Sequence, residues 1–155
     1  MKVVFLDFDG VLSNDETVGG KLNPKLVKLL NGLHGVKFVV SSTWRLNNSV
    51  EELTKILQDE GFEGEVLDKT PSVVSGQWHF RGIEIRTWIY DACSNGTIDD
   101  EYWLYDDYVI LDDDGDMLYE QRNNFIHIDS CSGITRNTIY RVKNMLRLDG
   151  HENIF

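Results

Sequence analysis

Cysteine and proline are scarce in this sequence of 155 residues, with two of each. Cys93 and Cys131 do not form a CxxC pair, which excludes the kind of zinc site that is built from such pairs. We expect both to be free thiols that are buried or half-buried. No apolar run approaches the roughly 20 residues of a membrane-spanning helix. No small-residue cleavage site follows the apolar start, so the sequence predicts a cytoplasmic protein.

Basic residues are also few. The chain has 15 Lys and Arg against 26 Asp and Glu, and its net charge is −11. Because counterion release from nucleic acid requires clustered cations, and no basic run is present, tight non-specific nucleic-acid binding is not expected. Recognition of a nucleic-acid end stays open, since carboxylates that hold a cation would account for part of the negative charge.

The hydrophobic share of 41% is typical of a globular chain, and short apolar runs alternate with helical patterns. Several of these runs are nearly continuous Val, Ile, Leu and Phe, which favours strands covered on both faces. The predicted strands are Val3–Leu6, Val36–Val40, Glu65–Leu67, Tyr108–Leu111 and Phe125–Ile128. The predicted helices begin at Asn23–Pro24 and near Ser49, and cover Glu84–Ala92 and Asn137–Leu146. This alternation predicts one α/β domain over residues 1–155, with a mostly parallel five-stranded sheet between two layers of helices.

The first candidate site is an acid pair at the end of the first predicted strand, in KVVFLDFDGVL. Ligands of open α/β sheets bind beyond the carboxyl ends of the strands, which is where Asp7 lies. Two acids separated by one residue can act as nucleophile and as proton shuttle, and Gly10 permits the tight turn that brings in Asp9. The alternative is a plain turn, because Asp-Gly is a common turn pair.

The second candidate site is an acidic cluster after the apolar run YVIL, comprising Asp112, Asp113, Asp114 and Asp116. Several acids within five residues repel one another unless a cation joins them, and Mg²⁺ prefers such hard oxygen ligands. A solvated acidic turn is the alternative. A calcium-binding EF-hand loop is excluded, because Ile110 stands where its first ligand would be.

Hydroxyl and basic residues supply the remaining candidates. Ser41 and Ser42 end the second predicted strand, where a hydroxyl and backbone N–H groups suit a phosphate oxygen. A transferred phosphoryl group also needs a cation. Arg81, next to Gly82 and just before the third predicted helix, is the best-placed residue, and Arg86 and Arg45 are the alternatives.

Taken in order, these motifs resemble those of the haloacid dehalogenase-like (HAD) superfamily of phosphatases. Asp7-Phe8-Asp9-Gly10-Val11 is similar to its first motif, Ser41 to its second, Arg81 to its third, and Asp112-Asp113 to its fourth. The resemblance covers about residues 3 to 116 and implies a Rossmann-like core.

The resemblance also implies a role for each matching residue. Asp7 would be the nucleophile and a metal ligand, and Asp9 would be the general acid and base, with its carbonyl oxygen on the metal. Ser41 would hold the phosphoryl group and Arg81 would stabilise it. Asp112 and Asp113 would hold Mg²⁺, with Asp116 as the alternative to Asp113. An aspartate two residues after the nucleophile implies phosphatase rather than dehalogenase chemistry.

The segments SSTWR, RGIEIRTWI and YVILDDDGDM further resemble a subgroup associated with RNA-repair proteins. The intervals in which relatives carry a cap domain, Ser13–Asn23 and Gly61–Arg81, are short, so no large cap is expected. An uncovered site favours a phosphate at the end of a large molecule, such as a nucleic-acid terminus or a phosphoprotein. The alternatives are a phosphatase of a small nucleotide or metabolite, closed by oligomerisation or by the Thr70–Arg81 loop, and a non-catalytic module that binds a structural cation.

Overall fold

The computed structural model describes residues 1–73, 80–98 and 107–148. Its centre is a five-stranded sheet in the order β3-β2-β1-β4-β5, and every pair of neighbouring strands is parallel. The strands are β1 Val3–Leu6, β2 Lys37–Val40, β3 Val66–Lys69, β4 Tyr108–Asp112 and β5 Phe125–His127. The predicted parallel α/β sheet is confirmed, and β1 lies at its centre.

Within the described residues, four α-helices connect or follow the strands: α1 Pro24–Leu29, α2 Val50–Asp59, α3 Arg81–Ser94 and α4 Arg136–Leu146. Short 3₁₀ segments cover Leu30–Gly32, Thr43–Leu46 and Tyr119–Asn124. The local capping signals act as the sequence predicts. The Asn23 side chain accepts the Lys25 N–H before α1, and Ser49 and Glu52 form a reciprocal capping box at α2.

The helices form two layers because side chains alternate across the faces of each strand. On one face, Val4 and Leu6 of β1 belong to a core that includes the apolar residues of α1, α2 and α4. On the other face, Val3 and Phe5 pack with the apolar residues of α3. The result is the expected three-layer α/β/α arrangement. Neither interval in which a cap was considered is long enough to hold a domain.

Two local expectations are wrong. Helix α3 begins at Arg81 rather than Glu84, because a distant residue, Asp116, caps its first N–H groups. The Asp116 side chain accepts the Arg81 N–H at 2.9 Å, and the Asp116 backbone carbonyl accepts the Gly82 N–H at 3.2 Å. Both cysteines are free, as expected, but they are exposed rather than buried. In the part of the chain that the structure describes, no helix is long and apolar enough to cross a membrane.

Candidate active site

The register of the sheet brings three predicted site residues to one edge. Leu6 of β1 pairs with Val40 of β2 and with Leu111 of β4, so the next residues of the three strands lie side by side. Two backbone hydrogen bonds continue this register: the Asp7 N–H donates to the Leu111 carbonyl at 3.1 Å, and the Ser41 N–H donates to the Leu6 carbonyl at 2.9 Å. The carboxyl ends of the three central strands therefore carry Asp7, Ser41 and Asp112.

Three carboxylates meet at this edge. Asp7, Asp112 and Asp113 each offer an oxygen, and these oxygens lie within 4.8 Å of one another. The carboxylates of Asp7 and Asp112 are buried, whereas Asp113 is half-buried. Asp112 Oδ1 accepts the Asp114 N–H at 2.9 Å, but Asp112 Oδ2 is buried and has no hydrogen-bond partner among the described residues. An all-oxygen donor set with an unpartnered buried carboxylate oxygen fits a hard divalent cation.

Burial and mutual repulsion make it unfavourable for the carboxylates of this cluster to ionise without a cation. Burial and then repulsion from the neighbouring Asp112 raise the pKa of Asp7 to about 9, although Arg81 opposes the rise. Burial also raises the pKa of Asp112, to about 6, against the lowering effect of its hydrogen bond from the Asp114 N–H. Carboxylic acids this close cannot all ionise at neutral pH unless positive charge is added. The electrostatics therefore favour a bound cation over a solvated acidic turn.

Gly10 is required by space as well as by backbone conformation. Its φ is +75°, in the left-handed region that side chains rarely adopt. A Cβ atom on this residue would lie 2.1 Å from Asp113 Oδ2 and 3.1 Å from Ser130 Cβ. The missing side chain lets the turn after Asp7 approach the acids after β4. Gly10 thus has a packing role at the cluster, in addition to its predicted role in the turn.

Asp9 lies outside the carboxylate cluster and is exposed. Its Oδ2 accepts a hydrogen bond from Trp44 Nε1 at 3.1 Å. The Trp44 ring in turn packs edge-on against Phe8, with 5.5 Å between the ring centroids. One acid of the pair is therefore buried in the cluster, while the other is exposed and held by an indole. This difference in environment suits two different chemical roles.

The two serines after β2 differ in their surroundings. Ser41 is buried, and its Oγ has no hydrogen-bond partner among the described residues. Ser42 is also buried, but its Oγ accepts the Trp44 N–H at 3.3 Å and caps the 3₁₀ segment Thr43–Leu46. Ser41 therefore has the hydroxyl that is free for a ligand, whereas the Ser42 hydroxyl shapes the loop. The prediction that Ser42 also contacts substrate stays a prediction.

Among the three candidate cations, Arg81 is the one that lies against the carboxylates. Its Nε is 3.9 Å from Asp112 Oδ2, and its Nη1 is buried without a hydrogen-bond partner in the described part of the chain. Arg86, five residues further along α3, instead pairs with Glu120 near the surface at 3.4 Å. Arg81 also helps line a cavity of about 270 Å³, together with Arg45 and Glu84.

Arg45 is buried and its guanidinium is committed to other acceptors. It donates to Glu84 Oε2 at 2.7 Å and to the carbonyl oxygens of Ser42 at 2.9 Å and Thr70 at 3.0 Å. Glu84 Oε2 also accepts the Val73 N–H at 3.0 Å. The pair joins the loop after β2 to the helix that carries Arg81. These contacts favour a positioning role for Arg45 over the predicted contact with substrate.

Asp116, the alternative second ligand, lies at the start of α3. Its Oδ2 accepts the Arg81 N–H, and it is not part of the carboxylate cluster found among the described residues. Gly82 lets the start of α3 lie close to the segment after β4, because a Cβ atom on this residue would be 2.6 Å from Gln121 Oε1 and from the Leu118 nitrogen. Of the two acids considered, Asp113 is the one that joins Asp7 and Asp112.

Sequence reasoning missed two residues that shape this site, Trp44 and Glu84. Trp44 has no place in the motifs of the sequence, and Glu84 stands there only as the first residue of the third predicted helix. Neither has a local signal, because Trp44 is 35 residues from Asp9 and Glu84 is 39 residues from Arg45. The sequence also offers Trp78 and Trp103 for stacking on a nucleobase, as the alternative to plain packing, and both lie outside the described residues.

A parallel sheet in this strand order, with an acid pair after β1, a serine after β2 and acids after β4, defines a HAD-type hydrolase core. Within that class, the chain belongs to the family described as the HAD domain in Swiss Army Knife RNA repair proteins, whose model matches residues 3–139. No curated protein and no solved structure matches the chain.

Proposed function

We propose that this protein is a magnesium-dependent phosphomonoesterase that acts through a phosphoryl-aspartate on Asp7. The observation that carries the proposal is the meeting of Asp7, Asp112 and Asp113 within 4.8 Å, with Arg81 beside them. Asp7, Asp112 and Asp113, with the Asp9 carbonyl, would hold Mg²⁺. The bound ion would neutralise the carboxylates and the phosphoryl oxygens.

In the first half of the reaction, a carboxylate oxygen of Asp7 attacks phosphorus and the bond from phosphorus to the ester oxygen breaks. Asp9 donates its proton to that departing oxygen, so the leaving group departs as a neutral alcohol. Both groups suit these roles, because Asp7 directly follows the central strand and lies inside the cluster, whereas Asp9 is exposed to water.

In the second half, the Asp9 carboxylate takes a proton from a water molecule as that water attacks the phosphoryl group on Asp7. The bond between phosphorus and Asp7 breaks, inorganic phosphate leaves, and both acids return to their starting forms. The unpartnered Ser41 Oγ and the Arg81 guanidinium are the groups that would hold the phosphoryl oxygens.

We further propose that the substrate is the phosphorylated end of a nucleic acid. The family description, which refers to RNA repair proteins, supports this substrate class. The short intervals where a cap would stand also support it, since an uncovered site admits one end of a large molecule. A small nucleotide or metabolite is the second candidate.

Phosphate release in the presence of Mg²⁺ tests the proposal, with an aryl phosphate and a phosphate-ended oligonucleotide as substrates. We expect Asp112→Asn to reduce turnover of both by at least about 100-fold, because it removes a buried ligand of the cation. Asp114→Asn is the matched control, since Asp114 is the exposed neighbour outside the cluster. Activity that survives complete chelation of divalent ions would refute the metal dependence. An equal loss of turnover in Asp112→Asn and Asp114→Asn would refute the assignment of the carboxylate cluster as the metal site.

A further inference from the structure

The charge of this acidic protein is unevenly distributed along the chain. Residues 17–50 and 130–148 contain none of the 26 Asp and Glu residues, yet they contain nine of the 15 Lys and Arg. The remaining parts of the chain therefore hold all the acids and only six cations. Although the net charge of the protein is −11, these two segments therefore carry only positive charges.

These two segments meet in the fold. They supply α1 and α4, which pack on the same face of the sheet. The 3₁₀ segment Leu30–Gly32, which continues from α1, approaches α4 closely: a Cβ atom on Gly32 would lie 3.4 Å from Ile139 Cγ2. Between them runs a groove of about 450 Å³. Its lining includes Lys28, Leu29, Arg136, Ile139, Tyr140 and Lys143.

The groove combines cations with an aromatic ring and an apolar floor. Lys28 and Arg136 are exposed, Lys143 is half-buried, and Tyr140 is 55% exposed. No ion pair engages the three cations among residues 1–73, 80–98 and 107–148. Unpaired cations beside an exposed ring are what a single nucleic-acid strand requires, with phosphates on the cations and a base stacked on the ring.

The two helices that form the groove begin beside the candidate active site. The Asn23 N–H, just before α1, donates to the Leu12 carbonyl at 2.8 Å, and the Ile134 N–H, just before α4, donates to the Val11 carbonyl at 2.9 Å. Both helices therefore begin against the turn that carries Asp9 and Gly10. The groove follows α4, along which Arg136 and Lys143 are separated by about 10 Å at 1.5 Å per residue.

We propose that the groove between α1 and α4 binds the sugar-phosphate backbone of a single-stranded nucleic acid whose phosphorylated end lies at Asp7. This inference rests on the proposed function for the end that reacts, but the groove is a separate surface. It also reconciles a net charge of −11 with a polyanionic substrate, because the strand would contact the two acid-free segments. Regular phosphates and a stacked base match the groove better than the phosphate of a phosphoprotein, which supplies one such group.

Fluorescence anisotropy of a labelled, phosphate-ended oligonucleotide of about ten nucleotides tests the groove, with full-length Asp7→Asn protein so that the probe is not consumed. We compare Lys28→Ala/Arg136→Ala with Lys55→Ala/Arg122→Ala, which removes the same charges outside the acid-free segments. Each phosphate contact contributes about 0.7 to the slope of log affinity against log salt. The groove pair should therefore reduce that slope by about 1.4 and weaken binding about tenfold at low salt, whereas the control pair should change neither.

Hydrolysis of an aryl phosphate by the two double variants, made with Asp7 intact, separates the two claims. We expect both to retain wild-type turnover of this small substrate, which also shows that they are folded. Equal oligonucleotide binding by the two pairs, or a phosphopeptide that competes as well as an unlabelled oligonucleotide, would overturn the groove while leaving the phosphatase intact. If only the groove pair loses salt-dependent binding of the oligonucleotide and no form of the protein hydrolyses the aryl phosphate, the groove is supported and the proposed phosphatase reaction is refuted.

Discussion

At the scale of single residues, the feature that most distinguishes the two acids of the first motif is what surrounds each one. Asp7 is buried among carboxylates, and its Oδ1 accepts the Phe8 N–H at 2.8 Å. Asp9 is exposed and is held by Trp44 through one hydrogen bond. An acid that must give up and recover a proton in each turnover needs contact with water and a fixed direction, and Asp9 has both.

The indole of Trp44 should therefore affect proton transfer rather than substrate binding. Trp44→Phe keeps an aromatic ring against Phe8 but removes the N–H donor to Asp9. General acid–base assistance is worth roughly 10² to 10⁴ in rate, and we expect Trp44→Phe to lose part of it, about tenfold in kcat. The loss should be large for alkyl phosphates and small for aryl phosphates with a good leaving group. A uniform loss across leaving groups, or a change confined to KM, would contradict this role.

At the scale of secondary-structure elements, helix α3 is the part of the site that is assembled from distant sequence. Its N-terminus is capped by Asp116, and its first two turns are joined to the loop after β2 by the pair Arg45–Glu84. Both members of that pair are about 5% exposed. A buried ion pair of this kind stabilises the fold less than its charges suggest, because both charges lose their hydration. Removing one partner, however, leaves the other charge buried without compensation.

Substitution of the pair should separate stability from positioning. Arg45→Met leaves the Glu84 carboxylate buried without its cation and should cost about 3 to 5 kcal/mol of unfolding free energy. Arg45→Met/Glu84→Met should recover most of that loss. Because α3 carries Arg81, we expect the double variant to be folded yet slower, with a lower kcat for an aryl phosphate. Urea unfolding and steady-state kinetics measure the two effects; a double variant with wild-type kcat would assign the pair to stability alone.

The elements that were predictable from the sequence are those with local signals. The nearly continuous apolar runs of β1 and β4 fixed the positions of Asp7 and Asp112, and the Ser49 capping box marked the start of α2. The start of α3 was not predictable, because its cap comes from Asp116, 35 residues away. The hydrogen bond from Trp44 to Asp9 was not predictable for the same reason, because a hydrogen bond between residues far apart in the chain leaves no periodic pattern in the sequence.

At the scale of the whole molecule, the carboxylate cluster links metal binding to stability. A carboxyl group whose pKa is raised by folding stabilises the fold fully below its unfolded pKa, which is about 4 for Asp, and loses that contribution as the pH rises through the folded value. The folded pKa is about 9 for Asp7 and about 6 for Asp112. The metal-free protein should therefore become less stable between pH 4 and pH 9.

Asp7→Asn should remove the larger part of this dependence. Its amide oxygen can still accept the Phe8 N–H, but the residue carries no charge. In the presence of a chelator, we expect the variant to be more stable than wild type by about 1 to 3 kcal/mol at pH 8, and the difference to shrink towards pH 5. Saturating Mg²⁺ should reduce the difference by stabilising wild type. Chemical unfolding at the two pH values measures this; a constant difference would contradict the assigned burial of charge.

The central claim is that Asp7 is the residue that carries the phosphoryl group, and its most direct test is to trap and map that group. Protein quenched during turnover of a phosphate-labelled aryl substrate should yield one labelled peptide, covering residues 3–12, with the label on Asp7. Asp9→Asn should accumulate the same label, because it forms the intermediate with a good leaving group but hydrolyses it slowly. Asp7→Asn should yield none. Label on Asp9, or full turnover by Asp7→Asn, would contradict the account.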